Sequence, residues 1–214
     1  MTPQRHTRWL GWAAAMAVAA MVFWVLPPLR VVRLSATRHQ AAGAAFDAEA
    51  FVEKFWRDQL LNPDTPALEA NRLVQLLREN PAAAAELGRR LGFSRNTSYF
   101  IRGAGRVAAV VPDAVSLFLE GDREEVSVVI ETGPVFGNAI RDGSGLLDVN
   151  LFPNSQDFNA ISGALNRRVE AEVLPHLKAQ AAVGRRINFI GGVEVGDPAH
   201  ALPLRVVPVR IEVP

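Results

Sequence analysis

The spacing of apolar and polar positions changes twice along this chain and divides it into three stretches. The first is an unbroken apolar run from Trp9 to Leu26, 18 residues without a charge (WLGWAAAMAVAAMVFWVL). Such a length lies at the lower end of what spans a bilayer as a helix, about 17–25 residues. Trp9, Trp12 and Trp24 stand near its ends, where amphipathic rings favour the headgroup zone. A soluble helix this uniformly apolar would need a core on every side. Pro27-Pro28 follows without a small-residue cleavage site, so the run is expected to stay in place as an anchor rather than to be removed as a signal peptide. Arg30, Arg33 and Arg38 beyond the run outnumber Arg5 and Arg8 before it, which does not favour export on the positive-inside count. Basic residues followed by an apolar run nevertheless read as a secretory start, so the body of the chain is expected in the periplasm.

The second stretch has helical spacing. After a small, polar tether from residue 34 to 43, Asp47 is placed to cap a helix whose apolar face is Phe51, Val52, Phe55 and Trp56. Phe46 and Phe51 occupy the staple positions around that cap, and Asn62-Pro63 is the stop. Thr65 followed by Pro66 predicts a second helix carrying Leu73, Val74, Leu76 and Leu77. Asn80-Pro81 predicts a third, ending at Gly92. Three short helices make a collar, not a domain with its own core.

From residue 99 the period shortens to two. Residues 99–111, 115–120 and 126–131 read as strands, with Gly103 and Gly105 permitting a bend in the first. Val126, Val128 and Ile130 alternate with Ser127, Val129 and Glu131, the pattern of a half-buried strand. A glycine-framed loop, GPVFGNAIRDGSG at 133–145, follows. Asn154 or Ser155 then caps a helix reaching Leu174 and stopped by Pro175, with Phe158, Ile161, Leu165, Val169 and Val173 as its apolar stripe. Residues 185–195 and 204–213 are the last two strands. Three strands, a helix and two strands is the element order of the oligonucleotide/oligosaccharide-binding (OB) barrel. The expected fold is therefore α+β, mainly β: a transmembrane anchor at 1–34, a tether and helical collar at 35–97, and a five-stranded OB-like barrel at 98–214 with its helix between strands three and four.

Charge adds a constraint. The formal net charge of +1 hides an asymmetry, since four of the 23 basic residues lie before position 35 and all 22 acidic ones lie after position 46. Residues 35–214 carry a net of −3, a poor surface for phosphate backbones, so no nucleic-acid partner is expected. Cysteine is absent, which removes disulfides, thiolate metal sites and a cysteine nucleophile. His6, His39, His176 and His200 are scattered without ligand spacing, and no nucleophile elbow or phosphate-binding glycine loop occurs. Asp122, Glu124 and Glu125 cluster at a hairpin tip, where a solvated turn is the default. Tyr99, Phe100, Phe118 and Phe189 are the aromatic residues on the strands, and such residues are usually core rather than stacking platforms. No metal, no cofactor and no enzymatic activity are expected. Arg141-Asp142 on the glycine-framed loop is the polar pair that stands out. It is either an ion pair that pins the loop or a ligand-binding site in which Arg141 grips a carboxylate or phosphate.

FDAEAFVEKFW, IRGAGRVAAVV, GPVFGNAIRD, NSQDFNAISGALNRRV and a last strand ending VPVRIEV together resemble an uncharacterised bacterial family of predicted periplasmic lipoproteins. The resemblance extends over residues 31–214. It implies export, membrane attachment, no known enzymatic activity, and genes beside ABC transporters for sugars. That family has a lipid-modified cysteine just before a segment like Val31-Val32-Arg33-Leu34, and here Leu29-Arg30 stands there instead. The apolar run must then supply the anchor. The expected protein is an inner-membrane accessory or binding module facing the periplasm, with the bilayer and ABC transporter components as partners. The alternative is an enzyme acting on a small anionic or sugar ligand in the barrel mouth.

Overall fold

Five runs of alternating side chains pair edge to edge until the last meets the first. A computed structural model describes residues 46–92, 94–121 and 125–214. The apolar run from Trp9 to Leu26, His6, His39 and the turn residues Asp122 and Glu124 lie outside the described residues. The barrel strands are preceded by a two-residue strand, β1 (Leu68–Glu69). They are β2 (Thr97–Val111), β3 (Ala114–Leu119), β4 (Val126–Glu131), β5 (Arg186–Val195) and β6 (Leu204–Glu212). Neighbours run β2-β3-β4-β6-β5, and β5 returns to β2. All these pairings are antiparallel except β4 with β6. The long β2 serves both halves: Thr97 to Arg106 pair with β5, and Gly105 to Val111 pair with β3. Closure leaves no long open edge in the barrel.

The expected five strands are all present, and β1 is an addition. It lies parallel to β2 at Ile101 and Arg102. The second helix therefore starts later than Pro66 suggests. Pro66 and Ala67 belong to neither helix nor strand, Glu69 pairs with Arg102 at 2.9 Å, and the helix, α2 (Ala70–Glu79), begins only at Ala70. Sheet pairing outcompetes the first helical turn.

Two apolar cores, not one, hold the body together. The first fills the barrel with Ile101, Leu117, Ile130, Ile187, Phe189 and their neighbours. Helix α2 (Ala70–Glu79) closes it, contributing Ala70, Leu73, Val74 and Leu77. Gly103 makes that docking possible, because a Cβ there would sit 2.9 Å from both Ala70 Cβ and the Phe189 ring. Helix α3 (Pro81–Leu87), capped by Asn80 as expected, ends at Leu87 rather than Gly92. The second core lies outside the barrel wall. There α1 (Ala48–Phe55) and the π turn Trp56–Leu60 that extends it bury Val52, Phe55, Trp56 and Leu60. Against them packs the helix between β4 and β5. Phe158, Ile161, Leu165 and Val169 of its stripe are at most 3% exposed, and Val173 is 9% exposed. Burying each such side chain is worth about 1.5–3 kcal/mol.

That helix differs from its expected form in extent. It comprises α5 (Ser155–Arg168), a π turn over Val169–Val173, and α6 (Leu174–Gln180). Pro175 does not stop it. The proline sits in the first turn of α6, where its missing N–H costs nothing, and the π turn before it absorbs the mismatch. The α5 stripe faces α1 outside the barrel, and Leu177 of α6 joins the barrel interior. Strand β4 is also covered on both faces: Ser127 is fully buried, because Arg78 of α2 reaches over it to donate to its hydroxyl at 3.2 Å.

Candidate functional site

The glycine-framed segment is not a plain loop. Between Gly133 and Gly145 it forms a short helix, α4 (Ala139–Ser144), with Ala139, Ile140, Arg141, Gly143 and Ser144 buried. The segment before it is tied to α5 and the π turn: the Val135 N–H donates to Glu170 Oε1 at 2.7 Å, and Asn166 Nδ2 donates to the Gly137 carbonyl at 3.1 Å. Its glycines let the backbones meet. A Cβ on Gly143 would lie 2.5 Å from the Tyr99 carbonyl oxygen, so α4 rests directly on β2. Gly145 then ends the helix at φ 62°, a left-handed conformation that glycine adopts freely. Val135 and Ile140 are core residues, whereas Phe136 is 80% exposed.

Arg141 is 3% exposed and its donors are engaged within the fold. Nε and Nη2 donate to the two carboxylate oxygens of Asp142 at 2.7 and 3.3 Å. Nη1 donates to the Phe158 carbonyl at 3.2 Å and to Asn159 Oδ1 at 3.0 Å. The guanidinium also lies 4.1 Å from the centre of the Phe158 ring, a cation–π contact. The pair thus clasps α4 to the start of α5. Asp142 keeps one side towards a cleft, but both its oxygens are taken by Arg141.

Two clefts meet beside α4. One, of about 320 Å³, runs between Ala67, Leu68, Leu87, Tyr99 and Phe100 and has Gly143 and Ser144 as its floor. The other, of about 340 Å³, is bounded by Arg90, Leu91, Asp142, Gly145 and Leu147. Arg89 lines both. Its backbone is fixed to β2 by a two-way bridge with Ser98, 2.8 Å in each direction. Its guanidinium lies against the bare face of Gly145. Among the described residues that guanidinium has no hydrogen bond and no ion pair. Arg90, next to it, donates to the Thr97 hydroxyl at 3.2 Å. Burial pushes the Tyr99 hydroxyl above the ordinary tyrosine range, with the charge of Arg90 opposing, and the hydroxyl donates to the Ala84 carbonyl at 3.1 Å.

A third cavity, also of about 320 Å³, opens on the outer wall of β2, β5 and β6. Its arginines are neutralised: Arg102 pairs with Glu69 at 2.9 Å and Arg210 with Glu212 at 3.2 Å. The other polar groups singled out by sequence do not converge. His176 and His200 are exposed and far apart in the fold's element order, and His200 pairs with Asp197, whose carboxyl that contact holds below the ordinary range. Glu125 pairs with Arg78. Among the described residues no group of three or more histidine, cysteine or acidic side chains could hold a metal ion. Tyr99, Phe100 and Phe189 are buried and offer no face for base stacking.

Arg89 and Arg90 were not legible as site residues. They follow the third predicted helix and read as its polar end. The one local signal is the order Leu87-Gly88-Arg89-Arg90-Leu91, which places apolar side chains two positions either side of Arg89.

A sequence model of the family described as predicted periplasmic lipoprotein (DUF2291) matches residues 16–212. The fold is similar to the crystal structure of an OB-fold protein from Thermotoga maritima, with a TM-score of 0.70 and 24% identity, covering 79% of this chain and 99% of that one. No curated protein matches the sequence.

Proposed function

The chain belongs to the family of predicted periplasmic lipoproteins, and from that premise we propose that it is a membrane-held periplasmic binding module without catalytic activity of its own. The observation that carries this reading is the pair of clefts meeting at Arg89 beside α4. A preformed concave site with apolar walls and a few polar groups is how small-molecule sites are built. Its charged groups do not resemble a catalytic set: Asp142 is committed to Arg141, so among the described residues no free carboxylate lines the cleft. With no cysteine in the sequence to carry a lipid, the run from Trp9 to Leu26 is the anchor this reading requires, a single pass through the inner membrane. ABC-type sugar uptake is the setting in which such a module would hand on or sense a solute.

The test is a thermal-shift screen of the full-length protein against sugars and small organic anions, with each compound recovered and weighed by mass spectrometry afterwards. At least one compound is expected to raise the midpoint and to come back chemically unchanged. Turnover of a compound would establish the enzyme alternative instead. A screen in which nothing raises the midpoint would count against the cleft as a binding site.

A further inference from the structure

Taking the α4 cleft as a binding site, we infer that its ligand is a small organic anion, a carboxylate or phosphate ester with an apolar flank, and that Arg89 is the residue that grips it. The inference deepens the function proposed above and rests on it. Charge is the first argument. Residues 35–214 carry a net of −3, yet this cleft concentrates cations. Asp142, the acidic residue in its wall, is neutralised by Arg141 at 2.7 Å. Arg102 is neutralised by Glu69. That leaves the charges of Arg89 and Arg90 uncompensated within the cleft, Arg90 being bonded to a neutral hydroxyl.

Preorganisation is the second argument. An ordinary surface arginine waves on a flexible stem and loses entropy when it is held. Arg89 starts from a backbone pinned by two 2.8 Å hydrogen bonds to Ser98, and its planar head rests on a glycine face that any Cβ would occlude. Arg89 is itself exposed, so what is fixed is its backbone; the guanidinium, lying against Gly145 with its donors unused, matches a carboxylate or phosphate edge in a two-bond geometry. Less freedom is then lost on binding.

The walls supply the third argument. Leu87 and Leu91 flank Arg89 and are 52% and 36% exposed, and Leu147 and Phe100 line the two clefts further in. A purely hydrated ion such as free phosphate would leave these walls wet. A ligand carrying an apolar face beside its anionic group would cover them. The volumes, about 320 and 340 Å³, fall within the range of small-molecule sites, about 300–1,000 Å³.

Isothermal titration of the full-length protein in zwitterionic nanodiscs tests this with three probes of similar shape: phenyl phosphate, benzoate and benzyl alcohol. One or both anions should bind, and the uncharged alcohol should not; which anion binds tighter separates a phosphate ester from a carboxylate. Because hydrogen bonds to charged groups are worth about 1.5–3 kcal/mol, Arg89→Ala should weaken the preferred anion about 10- to 100-fold. Arg89→Lys should restore only part of the affinity, since it keeps charge but not the fork. Arg205→Ala, which removes an exposed pair with Glu131 on the barrel wall, should leave binding unchanged, and circular dichroism should report the same fold for all variants. Unaltered anion affinity in Arg89→Ala would overturn the inference, as would binding of none of the three probes by the wild type. Equal binding of benzyl alcohol that is lost in Leu87→Glu would overturn the anionic ligand class while leaving the cleft as a binding site. Binding untouched by both Arg89→Ala and Leu87→Glu would remove the site itself.

Discussion

Two arginines of this body have opposite fates, and their surroundings decide which. Arg141 is enclosed: Asp142, Asn159, the Phe158 carbonyl and the Phe158 ring surround it at 2.7–4.1 Å. Removing it would strand the Asp142 carboxylate, which is only 12% exposed. Arg141→Ala is therefore expected to cost about 3–5 kcal/mol, as for one half of a buried pair. Arg141→Lys should recover little, because an ammonium cannot span both carboxylate oxygens and the Phe158 carbonyl together. Urea unfolding followed by circular dichroism measures both; a loss below about 1 kcal/mol for Arg141→Ala would match an exposed pair instead. Asp142 and Arg141 were legible from the sequence as a charged pair on a glycine-framed segment. Whether they bind or brace was not legible, because that depends on Phe158 and Asn159, 17 and 18 positions away. Arg89 left only the weak signal of its flanking leucines, since its lack of a partner in the cleft depends on Arg141 having already claimed Asp142.

Elements were easier to read where their signals are local. Asp47, Asn80 and Asn154 cap their helices by accepting from Ala50, Ala83 and Asp157, and Phe46 meets Phe51 with ring centres 5.6 Å apart. These contacts span three to five residues, so the pattern alone implies them. The errors at Pro66 and Pro175 have a common cause. A proline reports what its own N–H cannot do, and says nothing of a strand partner 33 positions on or of a π turn that lets a helix restart. The place of the α5 stripe was also hidden, because an apolar stripe states that it will be buried and not against what. Leu165→Ala, at a fully buried position, should cost about 2–5 kcal/mol. Its partners are the informative part. Combined with Phe55→Ala in the same outer core, the two losses should depart from additivity by about 0.5 kcal/mol or more. Combined with Leu117→Ala inside the barrel, they should add to within about 0.5 kcal/mol. The reverse result would put α5 in the barrel.

In the molecule as a whole, an OB-like barrel is closed by α2 and flanked by a second core, with the Arg89 cleft where α3, β2 and α4 come together. The fold alone carries no function; the proposed role, drawn from the family and the cleft, depends on the protein being held at the membrane. The most direct measurement is alkaline carbonate extraction of membranes, with the N-terminus of the protein read by mass spectrometry and the intact spheroplasts treated with added protease. The protein should stay in the pellet with the run from Trp9 to Leu26 intact, and protease added from outside should remove the body. A carbonate-soluble protein whose N-terminus begins after Leu26, or a body protected in intact spheroplasts, would contradict it.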